Sequence, residues 1–221
     1  LIELLVRRIM DIIFDSSLVL YLPLYEMDGA SFKSRESFGH LCTVNGALWR
    51  PKGRGFDKSD DVVSAGAIPA FNVGTGDLSF LVWFNADNVT DTQAIFRNRT
   101  GENAYAWGSY IGGGAVYAHW RNGAGSIKAQ SVPIVVNTWY CLAGVRQSGN
   151  VYGYLNSVSM GAAVSGADMN LAAHLEAPLG AHNTPYQGFF GGLIGEVVVY
   201  NRALTPAEIQ RNYLATKWRY Q

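Results

Sequence analysis

The sequence predicts an all-β domain of two packed antiparallel sheets with one short C-terminal helix. The first observation behind this is composition. Apolar residues make up 48% and charged residues 15%, with 25 glycines, a balance poor in the Glu, Lys and Ala that fill exposed helices. The second is rhythm. From Ser16 onward, short apolar or alternating runs are punctuated by Gly, Pro and Asn clusters about every 8–12 residues, the spacing of a sandwich or barrel. The third is the near absence of helical periods between the runs, which leaves antiparallel pairing to join them.

Leu18–Tyr25 is the first expected strand, followed by the short runs Leu41–Asn45, Leu48–Arg50 and Val62–Ser64. Between the last two, GFDKSDDVV clusters Asp57, Asp60 and Asp61 in a turn that enters a strand. In Leu78–Asn85, the side chains Leu78, Phe80, Val82 and Phe84 alternate with Ser79, Leu81, Trp83 and Asn85. Both sets are largely apolar, so this strand is central and covered on both faces. Gln93–Asn98, Tyr105–Ile111, Ala115–Arg121, Ser126–Ser131, Thr138–Arg146, Val151–Leu155, Ala177–Gly180 and Gly192–Tyr200 complete the strands.

The helix follows. Thr205-Pro206-Ala207-Glu208 places Thr at the N-cap, Pro at the first helical position and Glu at the third, so hydroxyl and carboxylate satisfy each other's backbone N–H. Ile209, Tyr213 and Leu214 supply its apolar stripe to about Lys217.

Residues 16–221 read as one domain and residues 1–15 as an N-terminal extension. In LIELLVRRIMDIIF, Glu3, Arg7 and Asp11 recur every four residues, which fits an amphipathic helical turn or two able to dock on a protein partner. The alternative is that Met10 is the start and residues 1–9 are upstream read-through.

Charge and hydropathy exclude other classes. With 17 basic and 17 acidic residues and no basic concentration, no nucleic-acid partner is expected. No apolar stretch reaches the ~18 residues of a membrane-spanning helix. Cys42 and Cys141 are either buried free thiols or one bridge between strands.

Two places carry ligand-type chemistry. In Ala115–Arg121, Tyr117, His119 and Arg121 share one face, and Trp107 lies on the preceding strand across the Gly112–Gly114 turn. Aromatic faces stack on pyranose C–H surfaces while planar polar groups take the hydroxyls, so Trp107, Tyr117, His119 and Arg121 form a candidate sugar platform. The alternative puts Trp107 in the core and leaves the rest as ordinary surface. The loop HNTPYQ before the last strand presents His182, Asn183 and Tyr186 as further candidate ligand residues, or serves as a solvated connection.

Four stretches in order resemble laminin G-like domains of the concanavalin A-like lectin/glucanase superfamily. They are Leu18–Leu24, DLSFLVWFNA at Asp77–Ala86, TWYCLAGVRQSGNVYGYLNS at Thr138–Ser157, and GFFGGLIGEVVVYNRALTPAEIQRNY at Gly188–Tyr213. The resemblance implies a jelly roll with Trp83 and Trp139 as bulky plugs between its sheets, and a glycan or polysaccharide as partner. It also implies a structural calcium against the N-terminal loop, for which Glu26 and Asp28 are the candidate ligands. Solvated loop carboxylates are the alternative there, because the acidic residue the family often carries before its final strand is Gly195 in this chain.

The superfamily also holds glycoside hydrolases, which need two carboxylates about 5–9.5 Å apart. Such pairs come from acids alternating along one strand, and no E-x-D-x-E or E-x-D-x-x-E string exists here. Gly112-Gly113-Gly114 opens no helix and is a turn, not a phosphate cradle. The expected function is therefore a non-catalytic carbohydrate-binding or adhesion module, extracellular, cell-surface or virion-associated. The alternatives are a structural or assembly subunit such as a phage tail-fibre, decoration or appendage protein, and then a glycoside hydrolase.

Overall fold

The computed structural model describes residues 12–99, 106–122, 125–166, 170–171, 176–182 and 187–221. The amphipathic segment expected at the N-terminus lies outside them, apart from its last residues. Strands in chain order are β1 Leu18–Pro23, β2 Ser31–Lys33, β3 Leu41–Asn45, β4 Leu48–Arg50, β5 Gly53–Asp57, β6 Val62–Ser64, β7 Leu78–Ala86 and β8 Gln93–Arg99. They continue with β9 Ala106–Gly112, β10 Ala115–Asn122, β11 Gly125–Pro133, β12 Trp139–Gln147, β13 Asn150–Leu155, β14 Val158–Ser159, β15 Val164–Ser165, β16 Pro178–Leu179 and β17 Gly191–Tyr200. Helix α1 spans Pro206–Thr216.

The strands form two antiparallel sheets. One runs β14-β13-β12-β7-β17-β5-β4, with β1 added on β17 and β15 on β13; the other runs β11-β10-β9-β8-β16-β6-β3-β2. This is the jelly-roll sandwich expected from the sequence. The long β17 serves two partners on one edge, pairing β5 through Gly191–Ile194 and β1 through Glu196–Tyr200.

Strand β5 had no expectation, because GRGFD reads as a glycine turn. Gly53 explains it: at φ +148 a Cβ there would meet the Ile194 carbonyl at 2.2 Å, so only glycine lets β5 lie against β17.

Strand β7 is central and covered on both sides. Its Phe80, Val82 and Phe84 face the space between the sheets, where Trp107, Trp120 and Phe96 meet them. The Phe80 ring lies 5.7 Å from Trp107 and 5.9 Å from Trp120. On the opposite face, Leu81 and Trp83 pack with Cys141, Val198 and Tyr200 under Ile209, Ala215 and Tyr220 of the C-terminal segment.

This reverses an expectation. Trp83 and Trp139 do not plug the space between the sheets; Trp107 and Trp120, both at 0% exposure, do. Period two puts Trp83 on the face opposite Phe80, Val82 and Phe84, and Trp139 pairs with Asn85 on that same outer face. Tyr220 covers both indoles, stacking 4.4 Å from Trp83 and lying 4.6 Å from Trp139.

Thr205 accepts from the Glu208 N–H and the Glu208 carboxylate accepts from the Thr205 N–H, the expected capping box of α1. Ile12 and Ile13 are buried against the same layer, the Ile13 N–H donating to Asn212 Oδ1 and its carbonyl accepting from the Tyr200 hydroxyl. Cys42 and Cys141 are both buried and free. They belong to opposite sheets, Cys42 in the inter-sheet core and Cys141 beneath α1.

Candidate functional site

The two sheets differ in what covers them. Helix α1 and its flanks close the outer face of the nine-stranded sheet, while strands β8 to β11 present the outer face of the other. A two-residue turn at Gly113–Gly114 sets the β9–β10 register, pairing Tyr117 with Tyr110, His119 with Gly108 and Trp120 with Trp107. Two rows therefore cross the sheet. One is Ala94, Tyr110, Tyr117 and Ser131; the next is Arg97, Gly108, His119 and Lys128.

The Tyr110 and Tyr117 rings stack at 4.5 Å and 6° from parallel, and His119 meets Tyr110 edge-on at 5.2 Å. Both tyrosines and Arg121 are half-buried, whereas His119 is 3% and Arg97 8% exposed. Arg97 Nη1 lies 2.8 Å from His182 Nδ1. A guanidinium only donates, so Nδ1 is the acceptor and the neutral imidazole carries its proton on Nε2. Between Arg97 and His119 the backbone is bare, because a Cβ on Gly108 (φ +138) would meet the Phe96 carbonyl at 2.2 Å. Strands β8 to β11 contain no Asp or Glu.

Of the residues named from sequence, Tyr117, His119 and Arg121 lie on this face, and Arg97 ties His182 to it. Asn183 and Tyr186 lie outside the described residues. Trp107 is a correction: it is fully buried between the sheets, 5.1 Å from Phe71 and paired with Trp120, so it touches no ligand on the outer face. Tyr110 stands where Trp107 was expected. The signal was present, since a two-residue turn at Gly113–Gly114 pairs position 117 with 110 and leaves 107 on the other face.

The candidate calcium ligands Glu26 and Asp28 each have a partner within the protein. Glu26 is exposed and pairs with Arg35 at 4.0 Å, and Asp28 accepts from the Gly29 N–H at 2.6 Å. The positive charge facing this loop is Arg54, at 2% exposure. Its guanidinium donates to the carbonyls of Met27, Gly29 and Ala47 at 3.0, 2.8 and 2.7 Å.

Asp57, Asp60 and Asp61 instead bring three carboxylate oxygens within 4.8 Å of one another, beside a cavity of about 400 Å³ that Leu48, Arg50 and Phe56 also line. Three carboxylates carry six oxygens, the lower end of the six to eight calcium takes. Asp61 Oδ2 accepts from the Asp57 N–H, and burial pushes its carboxyl above the usual range. At the final strand, Gly195 has a physical reason: a Cβ there would lie 2.4 Å from the Tyr220 ring.

Comparisons place this geometry among known proteins. The laminin G-type family model described as concanavalin A-like lectin/glucanases superfamily matches residues 57–210. No curated protein matches the chain.

Among solved structures, a Trypanosoma rangeli sialidase in complex with 2,3-difluorosialic acid is similar with a TM-score of 0.72 at 14% identity, over 93% of this chain and 34% of the sialidase. The chain thus spans about a third of that enzyme's length. Domain 4 of AbnA, a GH43 extracellular arabinanase from Geobacillus stearothermophilus in complex with arabinotriose, is similar with a TM-score of 0.65 at 18% identity, over 90% and 98%. The binding domain of Paraclostridial Mosquitocidal Protein 1 gives 0.67 at 10% identity, over 89% and 52%. At these identities the likeness shows the fold alone.

Proposed function

The chain belongs to the concanavalin A-like lectin/glucanases superfamily, and from that premise we propose that it is a non-catalytic carbohydrate-binding module of an extracellular, cell-surface or virion-associated protein. The module is residues 16–221, with residues 1–15 as an N-terminal extension. The observation that carries this reading is the outer face of β8 to β11. There the parallel Tyr110 and Tyr117 rings stand beside His119, Arg97 and Arg121 on a sheet face that no helix covers among the described residues. Half-buried tyrosines keep their rings fixed while leaving surface for a pyranose, and the half-buried Arg121 brings a guanidinium of the kind that suits ring hydroxyls.

Two further features support it. Domain 4 of the arabinanase, whose whole length this chain nearly matches, is a fold relative solved in complex with arabinotriose. The four strands of the face carry no carboxylate, and glycoside hydrolysis by the usual route needs two. Among the described residues no helix is long and apolar enough to cross a membrane.

Affinity electrophoresis against a panel of polysaccharides, arabinan and sialylated glycans included, with and without calcium, tests the proposal. Retention that Tyr117→Ala abolishes is expected. A full panel without retention refutes binding, and release of reducing sugar from any member refutes the non-catalytic part.

A further inference from the structure

Two Trp-Arg pairs, Trp49-Arg50 and Trp218-Arg219, stand far apart in the sequence and meet around one residue, Tyr25. The Trp49 indole N–H donates to the Tyr25 carbonyl at 2.8 Å. The Arg219 guanidinium carbon lies 4.2 Å from the Tyr25 ring centroid and 4.6 Å from that of Trp218. The Trp218 N–H donates to the Ala215 carbonyl at 3.0 Å. Both indole N–H groups are thus held by backbone, so both rings are oriented before any ligand arrives.

These rings are nevertheless open, Trp218 at 58% and Trp49 at 39% exposure, in a domain whose other described tryptophans are half-buried or buried. Indoles left in water cost free energy that burial would recover at about 25 cal/mol per Å². Pre-oriented aromatic surface of this kind binds with little loss of side-chain freedom.

The surrounding charge is mostly positive. Lys52 reaches the C-terminal segment, its Nζ donating to the Gln221 carbonyl at 3.2 Å, and Lys217 and Arg219 flank Trp218. The two nearby carboxylates are engaged, Glu26 with Arg35 and the buried Glu196 with Arg219. Arg50 turns instead to the cavity at Asp57, Asp60 and Asp61.

We propose that Trp49 and Trp218, with Arg219 and Lys52, form a second saccharide-binding surface that takes an anionic sugar chain. The indoles stack on the C–H faces of the sugar rings, and the cations meet its carboxylate or sulfate groups. The proposal rests on the reading of the chain as a carbohydrate-binding module, but it uses none of the residues of the Tyr110–Tyr117 face.

The test is affinity electrophoresis and titration calorimetry of the full chain against polygalacturonate (carboxylated), dextran sulfate (sulfated) and linear arabinan (neutral). Trp49→Ala and Trp218→Ala are each expected to weaken binding to an anionic polymer about tenfold, the usual scale for truncating an aromatic anchor. Their melting temperatures stay near that of the parent, because both rings are exposed. Lys52→Gln keeps the rings and flattens the salt dependence of the same binding.

Retention on polygalacturonate alone or on dextran sulfate alone supports the proposal and identifies the anion. No retention on either, or retention insensitive to both tryptophan substitutions, overturns it. Tyr117→Ala separates the two surfaces. If it abolishes arabinan retention while neither anionic polymer binds, the second surface falls and the first stands. If anionic binding needs Trp218 and Tyr117→Ala changes nothing, the first falls and the second stands.

Discussion

Tyr110 and Tyr117 lie side by side across the β9–β10 pair, ring centroids 4.5 Å apart and planes 6° from parallel. Stacking them on a sheet face costs rotamer freedom once, during folding, so little remains to be lost when a ligand binds. Tyr117→Ala is therefore expected to reduce polysaccharide affinity about tenfold. Because the side chain is half-buried, the melting temperature moves little. Calorimetric titration beside a thermal melt separates the two effects.

Arg54 predicts a stability effect remote from any ligand. Its three carbonyl partners on residues 27, 29 and 47 hold the loop after β1 against the β4–β5 hairpin. Arg54→Met removes all three donors while keeping most of the stem, at a cost of roughly 3 kcal/mol or more, since hydrogen bonds to charged groups are the strong ones. Arg54→Lys recovers only part, because an ammonium lacks the planar fork. Urea denaturation reads both, and an unchanged midpoint in Arg54→Met contradicts the assignment.

Gly195 and Tyr220 make a steric prediction. With the Tyr220 ring 2.4 Å from where a Cβ would stand, Gly195→Ala must push the ring off Trp83 and Trp139. The expected cost is roughly 1–3 kcal/mol, the range for overpacking. Tryptophan emission shifts to the red as the two indoles gain water, and retention of the parent spectrum would count against this packing.

Glu196 adds a pH dependence. Burial raises its carboxyl to about 7, against the opposing pull of Arg219 and of the Tyr21 and Tyr220 hydroxyls. The folded state thus favours the protonated acid. Its contribution to stability is complete below the ordinary value of 4.5 and is lost as pH rises through about 7. The loss is on the order of 3 kcal/mol. Glu196→Gln imitates the protonated acid and should flatten the stability profile across that window, as measured by melts at several pH values. A parent protein equally stable across the window sinks the prediction.

The two cysteines give a chemical test. Burial holds the Cys42 thiol up near 12 and raises that of Cys141 still further, so neither forms thiolate at neutral pH. A disulfide-exchange reagent should find no reactive thiol in the folded chain and both after denaturation.

Much of the fold was legible because a strand writes its burial at period two. Leu78 to Asn85 announced a strand covered on both sides, and Thr205 to Glu208 announced a helix start through chemistry confined to four residues. Strand β5 was not legible, since its glycines signal a turn locally and serve a close approach to β17 only in the assembled sheet. The candidate face was half legible: alternation gathered Tyr117, His119 and Arg121, but choosing their neighbour on β9 required the hairpin register, which replaced Trp107 by Tyr110.

By itself, then, the sequence determined that the chain forms strands, which of their side chains share a face, and where the helix begins, because these follow from dihedral preference and local hydrogen bonding. Only the tertiary structure decided which face is inside. Trp83 and Trp107 are both apolar and both buried, yet one lies beneath α1 and the other between the sheets. That choice depends on a helix far along the chain covering the outer face of one sheet. It is a long-range packing outcome that no local pattern encodes.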